Sequence, residues 1–148
     1  MLISVNLSTF VQSLKTVGMD EARIVKVLSL THPDLIESII KDITPVMTDL
    51  IMIKEVYDVF CVTYKPRKDY NHRLLFIATV LRLFNPDALI IECKLKSGVR
   101  ASIAKCLNQT GHLTSYYIGQ ARAYNKIKSF KNSVKLITES YIDSISIA

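Results

Sequence analysis

Two carboxylates and an amine fall within one short apolar stretch, Pro86-Asp87-Ala88-Leu89-Ile90-Ile91-Glu92-Cys93-Lys94. Acids such as Asp87 and Glu92 can hold Mg²⁺, and a lysine such as Lys94 can assist the water that attacks a phosphodiester. By spacing, Asp69 is a better first acid than Asp87, but it falls at a predicted helix start. The other reactive groups do not converge. Cys61, Cys93 and Cys106, and His32, His72 and His112, are scattered, with no CxxC, HxxxH or HExxH spacing. The expectation is no catalytic residue, no metal site and no cofactor. The cysteines read as small buried hydrophobes in a reducing compartment.

A different chemistry is written in the cations. Residues 1–63 carry five Lys or Arg against eight Asp or Glu, a balance of −3. Residues 64–148 carry fourteen against five, a balance of +9, which together give the net +6 of the chain. No acid occurs between Glu92 and Glu139. That interval holds Lys94, Lys96, Arg100, Lys105, Arg122, Lys126, Lys128, Lys131 and Lys135. Cations without counter-charges repel one another unless an anionic partner offsets them. A polyanion gains by releasing its condensed counterions onto such a surface.

The elements that must position these groups are predicted to be helices. The 148 residues, 49% hydrophobic and 22% charged, suffice for one domain or two small helical subdomains. Apolar residues recur at three- and four-residue spacing. Phe10, Val11, Leu14 and Val17 mark a helix over 8–17, and Ile24, Val25, Val27 and Leu28 mark a second. His32-Pro33 opens a third with Leu35, Ile36, Ile39, Ile40 and Ile43. Pro45 starts a fourth, with Val46, Leu50, Ile53, Val56, Tyr57 and Phe60 inward. Tyr64-Lys65-Pro66-Arg67-Lys68 reads as a linker, dividing an acidic subdomain, 1–63, from a basic one, 64–148. A long helix follows from about Asp69 to Phe84, with Leu74, Ile77, Leu81 and Phe84 inward. Residues 87–96 read either as a strand or as a helical turn.

Gly98–Leu107 is helical, with Val99, Ile103, Ala104 and Leu107 inward. Asn108-Gln109-Thr110-Gly111 is a turn. A second helix begins near Leu113 with Thr114 or Ser115 as cap. Residues 98–125 resemble the helix-turn-helix of bacterial and phage DNA-binding proteins. Ala104, Leu107, Leu113, Thr114 and Ile118 stand at the places of its pattern. Asn108 departs from the usual glycine, and Gln109–His112 lengthen the turn. The resemblance implies an all-α fold with a C-terminal helix-turn-helix. It further implies a regulator of transcription, or of a phage or mobile element, that binds duplex DNA through residues 94–135. In such a unit the second helix enters the major groove. Thr114, Ser115, Tyr116 and Gln120 would face base edges. Lys96, Arg100, Lys105, Arg122 and Lys126 would meet phosphates.

Ile127, Phe130, Val134, Ile137 and Tyr141 form a short heptad seam, which suits either packing back on its own domain or, as read here, a homodimer interface that would match a palindromic site. Two alternatives stand beside DNA binding. One is a structural or protein-interaction helical module, of phage-assembly or inhibitor type, in which residues 1–63 could also meet a protein partner. The other follows from Asp87, Glu92 and Lys94, which resemble the PD-(D/E)xK nuclease motif; Gln120 and Tyr124 resemble the Gln-x-x-x-Tyr helix of some such nucleases. That reading needs a sheet, and no run outside 88–95 suggests one. The chain opens Met-Leu-Ile-Ser without a basic stretch, and no run approaches the length of a membrane helix. The expected setting is therefore cytoplasmic.

Overall fold

Residues 74–84 contain eight large apolar side chains and a single cation, Arg82. A helix that is apolar all round must be covered all round, and this one becomes the axis of the fold. The computed structural model describes residues 21–63, 70–90 and 93–146. Among the described residues every regular element is a helix. They are α1 (Glu21–Thr31), α2 (Pro33–Ile43), α3 (Met52–Thr63), α4 (Tyr70–Phe84), α5 (Pro86–Ile90), α6 (Val99–Leu107), α7 (Gly111–Tyr124) and α8 (Lys128–Ser146). The expected all-α class is thus observed. No helix among the described residues is long and apolar enough to cross a membrane.

The chain divides into two compact units, 1–43 and 44–148. In the first, α1 and α2 are separated only by His32, whose N–H still donates to Leu28 O at 2.7 Å. Pro33 then opens α2, at a position where a missing N–H is tolerated. Leu28 and Ile36 are buried, while Ile40, expected inward, is exposed. The predicted helix over 8–17 and the side chains of Ile24 and Val25 lie outside what is described.

In the second unit, α4 packs against α3, α5, α6, α7 and α8. Leu74, Ile77, Leu81 and Phe84 are buried as expected, and so are Phe76, Ala78, Thr79, Val80 and Leu83. The expected boundary at residue 64 falls inside this unit. Ile53, Val56 and Phe60 of α3 belong to the same core as α4, and Tyr57 and Phe60 set their rings 4.9 and 5.7 Å from that of Phe76. The charge reversal near Tyr64 therefore marks a change of surface and not of core. Tyr64–Lys68 themselves lie outside the described residues.

The helix expected from Pro45 starts only at Met52. Val46 and Met47 use their N–H groups on Leu83 O, at 2.9 and 3.1 Å. They cap the end of α4, whose last carbonyls have no partner within the helix. Val46 is accordingly exposed. Asn85 ends α4 from within: fully buried, it donates through Nδ2 to Asp87 Oδ1 and accepts Lys96 N–H at 2.8 Å. Of the ambiguous stretch after it, residues 87–90 belong to the one-turn helix α5 (Pro86–Ile90) and 93–96 have no regular structure.

Candidate nucleic-acid interface

The basic interval is carried by α6, α7 and α8. Gly98, at φ 92°, precedes α6. A Cβ there would be strained by the backbone and would approach Leu50 Cδ1 to 2.7 Å. Val99 and Ile103 are buried, while Ala104 and Leu107 are half-buried. At the far end Asn108 takes the left-handed conformation, φ 52°. Its N–H reaches Ala104 O and Lys105 O, and Gln109 N–H donates to Ala104 O at 2.9 Å. Asparagine tolerates this conformation better than most residues, so the missing glycine is accommodated.

The turn is Asn108–Thr110, shorter than expected, because α7 begins at Gly111. Thr110 is its cap, accepting Leu113 N–H on Oγ1 at 3.2 Å. This earlier start moves Thr114 out of the expected role. Thr114 is fully buried, and its hydroxyl donates to Thr110 O at 2.8 Å, so it cannot face a base. Leu113, which the helix-turn-helix pattern would turn toward the first helix, is 42% exposed. The inner face of α7 is Thr114, Ile118, Ala121 and Asn125, at spacings of four, three and four. Tyr117 lies beside it, its hydroxyl accepting from Arg73 Nη1 at 3.2 Å.

Arg122 also leaves the expected set of phosphate contacts. Its Nε donates to Ala88 O at 2.9 Å and its Nη2 to Cys93 O at 3.1 Å. The guanidinium thus ties Ala88 of α5 and Cys93 to α7. The other expected residues stay at the surface. Ser115 and Tyr116 are exposed and Gln120 half-buried; Lys96, Arg100, Lys105 and Lys126 are exposed. Lys94, Lys128, Lys131 and Lys135 join them, giving eight exposed cations between Glu92 and Glu139.

The seam on α8 is largely spent within its own chain, the first of its two expected uses. Val134, Ile137 and Tyr141 belong to the core of their own chain. The Phe130 ring lies tilted against that of Tyr124, centroids 5.7 Å apart, and of the five only Ile127 is exposed. A stripe at heptad spacing covers α4 as readily as a second copy, and here α8 packs on α4.

The nuclease trio is not assembled among the described residues. Asp87 lies on α5 against Asn85, Lys94 is exposed on a non-helical segment, and Glu92 lies outside the described residues, as does Asp69. No strand occurs among the described residues, and none of them form a cluster of three His, Cys, Asp or Glu able to hold a metal. Burial pushes the Cys106 thiol up from its ordinary value, partly offset by Lys54. That disfavours the reactive thiolate.

Compared with protein-family models, curated proteins and solved structures, the chain matches none.

Sequence reasoning missed one feature of α7. Gly111, Ser115, Gly119 and Ala123 recur every four residues and are all exposed. They form a ridge of small residues along the helix, with Tyr116 and Gln120 beside it. The four-residue recurrence was visible in the sequence once the helix start was placed at Gly111.

Proposed function

We propose that α6, the Asn108–Thr110 turn and α7 form a helix-turn-helix that binds duplex DNA, with α7 as the helix entering the major groove and the protein acting as a regulator. The observation that carries this reading is Gly119. A glycine inside a helix costs about 1 kcal/mol relative to alanine. A Cβ on Gly119 would meet nothing within 4 Å, so packing within the chain does not require glycine. It leaves this face open to the close approach of a partner. The eight exposed cations and the absence of acids between Glu92 and Glu139 give that partner a negative charge.

In this reading Ser115, Tyr116 and Gln120 face base edges. Arg100, Lys105 and Lys126 meet phosphates, with Lys96 beside them. The turn of three residues and the asparagine that ends α6 support it further. The alternative, a protein-interaction module, draws on exposed Leu113 and Tyr116, and the same titration separates the two.

Fluorescence anisotropy with labelled duplex, single-stranded DNA and RNA at several salt concentrations is the test. If about five of the cations touch phosphate, log K for duplex falls with log salt at a slope of about −4 to −5. Changing Arg100 and Lys105 to alanine flattens the slope and weakens binding to all sequences. Absence of binding to any nucleic acid at low salt removes the reading and leaves the protein-interaction module.

Gly119→Leu gives a second expected result. Leucine favours helix over glycine, so the melting temperature is maintained or rises. Duplex affinity falls about tenfold, equivalent to about 1.4 kcal/mol, because the side chain blocks the ridge. Unchanged affinity in a stable Gly119→Leu protein would show that α7 does not meet DNA along this face.

A further inference from the structure

Between α3 and α8 the surface opens into a groove. Its floor is Val56, Phe60, Thr79, Ile137 and Tyr141, all buried. Its rim is exposed: Val59 and Thr63 on α3, Ser140 and Ser144 on α8. Most of its hydroxyls are spent on their own helices. Thr63 donates to Val59 O at 3.2 Å, Thr79 to Leu75 O at 2.7 Å and Ser144 to Tyr141 O at 2.7 Å. What the groove offers a partner is therefore mainly apolar surface.

That surface continues beyond the rim. Residues three and four apart are neighbours on a helix, so Val62 extends the edge at Val59 and Leu136 the edge at Ser140. Val62 is 83% exposed and Leu136 66%. The charges beside them have one sign, although the chain carries a net +6. Within one turn of Val59 and of Ser140 every charged residue is an acid: Glu55 and Asp58 on α3, Glu139 and Asp143 on α8. Asp58 is taken by Lys54 at 2.6 Å. Glu55, Glu139 and Asp143, all exposed, set the field at the groove. Arg82, the cation of α4 nearest Thr79 in sequence, is half-buried and does not line it.

We infer that this groove docks an amphipathic helix of a protein partner, its apolar ridge on Val59, Val62 and Leu136 and its cations flanking that ridge. Glu55 to Thr63 and Leu136 to Ser144 each run about 12 Å at about 1.5 Å per residue. That matches the span of the i, i+3 or i+4, and i+7 anchors by which such a helix lies in a groove. Ser140 and Ser144 are small enough to let its backbone approach. The acids select its charge: lysines or arginines beside the ridge meet Glu55, Glu139 and Asp143, whereas nucleic acid and anionic lipid are repelled. The site is separate from the DNA-binding surface proposed for α6 and α7 and does not depend on it.

The full-length protein is titrated with a synthetic peptide of leucine and lysine, its leucines at i, i+3, i+4 and i+7, while amide resonances are followed by NMR. Saturable shifts are expected around residues 55–63 and 136–144. A peptide with glutamate for every lysine keeps the ridge and should bind about tenfold more weakly. Glu139→Lys with Asp143→Lys should weaken the lysine peptide by about tenfold, and Val62→Ser with Leu136→Ser should weaken both peptides. Glu37→Lys with Asp42→Lys makes an equal charge change on α2 and should leave affinity unchanged. All six positions are exposed, and melting curves establish that the variants are folded. No saturable binding, shifts that map elsewhere, or equal affinity for the glutamate peptide would overturn the assignment. So would full affinity in either groove variant, or a loss in the α2 variant that matches the one on α8.

Discussion

Replacing Val134 by aspartate is expected to unfold residues 44–148 and not to release a dimer. Val134 is fully buried in the core beneath α8. A carboxylate there has no cationic partner among the core residues around it. An uncompensated buried charge costs about 3–5 kcal/mol, against a total stability of about 5–15 kcal/mol for a domain. The cooperative thermal transition should therefore be lost or move sharply down. Leu136→Asp is the matched control: Leu136 is 66% exposed on the same helix, and its replacement should change the melting temperature little. Sedimentation equilibrium on both variants separates the two accounts of the seam. A Val134→Asp protein that keeps its melting temperature but changes from dimer to monomer would return the stripe to an interface between copies.

Arg122→Ala is expected to cost about 2–3 kcal/mol, since two hydrogen bonds from a charged group are lost. For a unit of this size the melting temperature should fall by roughly 10–20 °C. Arg122→Lys should recover only part of this, because an ammonium cannot reproduce the two-pronged geometry of a guanidinium. Arg100→Ala should do the opposite. Arg100 is exposed, so stability is kept while salt-sensitive binding declines. If Arg122→Ala leaves the melting temperature unchanged and weakens DNA binding as Arg100→Ala does, Arg122 belongs to the surface that meets phosphate.

The contrast between these two arginines shows where the sequence was legible and where it was not. Helical periodicity located α4, α6 and α8 because burial on one or all sides leaves apolar residues at fixed spacing. It could not say whether the α8 stripe meets its own chain or another, since both demand the same residues. Arg122 looked like a surface cation because charge says nothing about the carbonyls a guanidinium can reach in the folded chain. Thr114 was misplaced by the position of the helix start: with Thr110 as cap, a residue expected at the first turn becomes one of the interior. The boundary read at Tyr64 and the compact units, which divide after Ile43, differ for a related reason. The former was read from net charge, a property of surfaces, whereas compact units follow buried side chains such as Ile53 and Phe60.

The burial of α4 on every side has a consequence for synthesis. Chains are made from the N-terminus at about 5–20 residues per second, and α4 is complete before α7 and α8 exist. Until Ile118, Ala121 and the Val134–Tyr141 stripe have left the ribosome, the Leu74–Phe84 surface has only α3, α5 and α6 to cover it. For some seconds the nascent chain therefore exposes its most apolar segment, in the state where such segments associate with one another or with chaperones. Translation pauses between α4 and α8 would lengthen that exposure, and a chain truncated before α8 would hold it permanently.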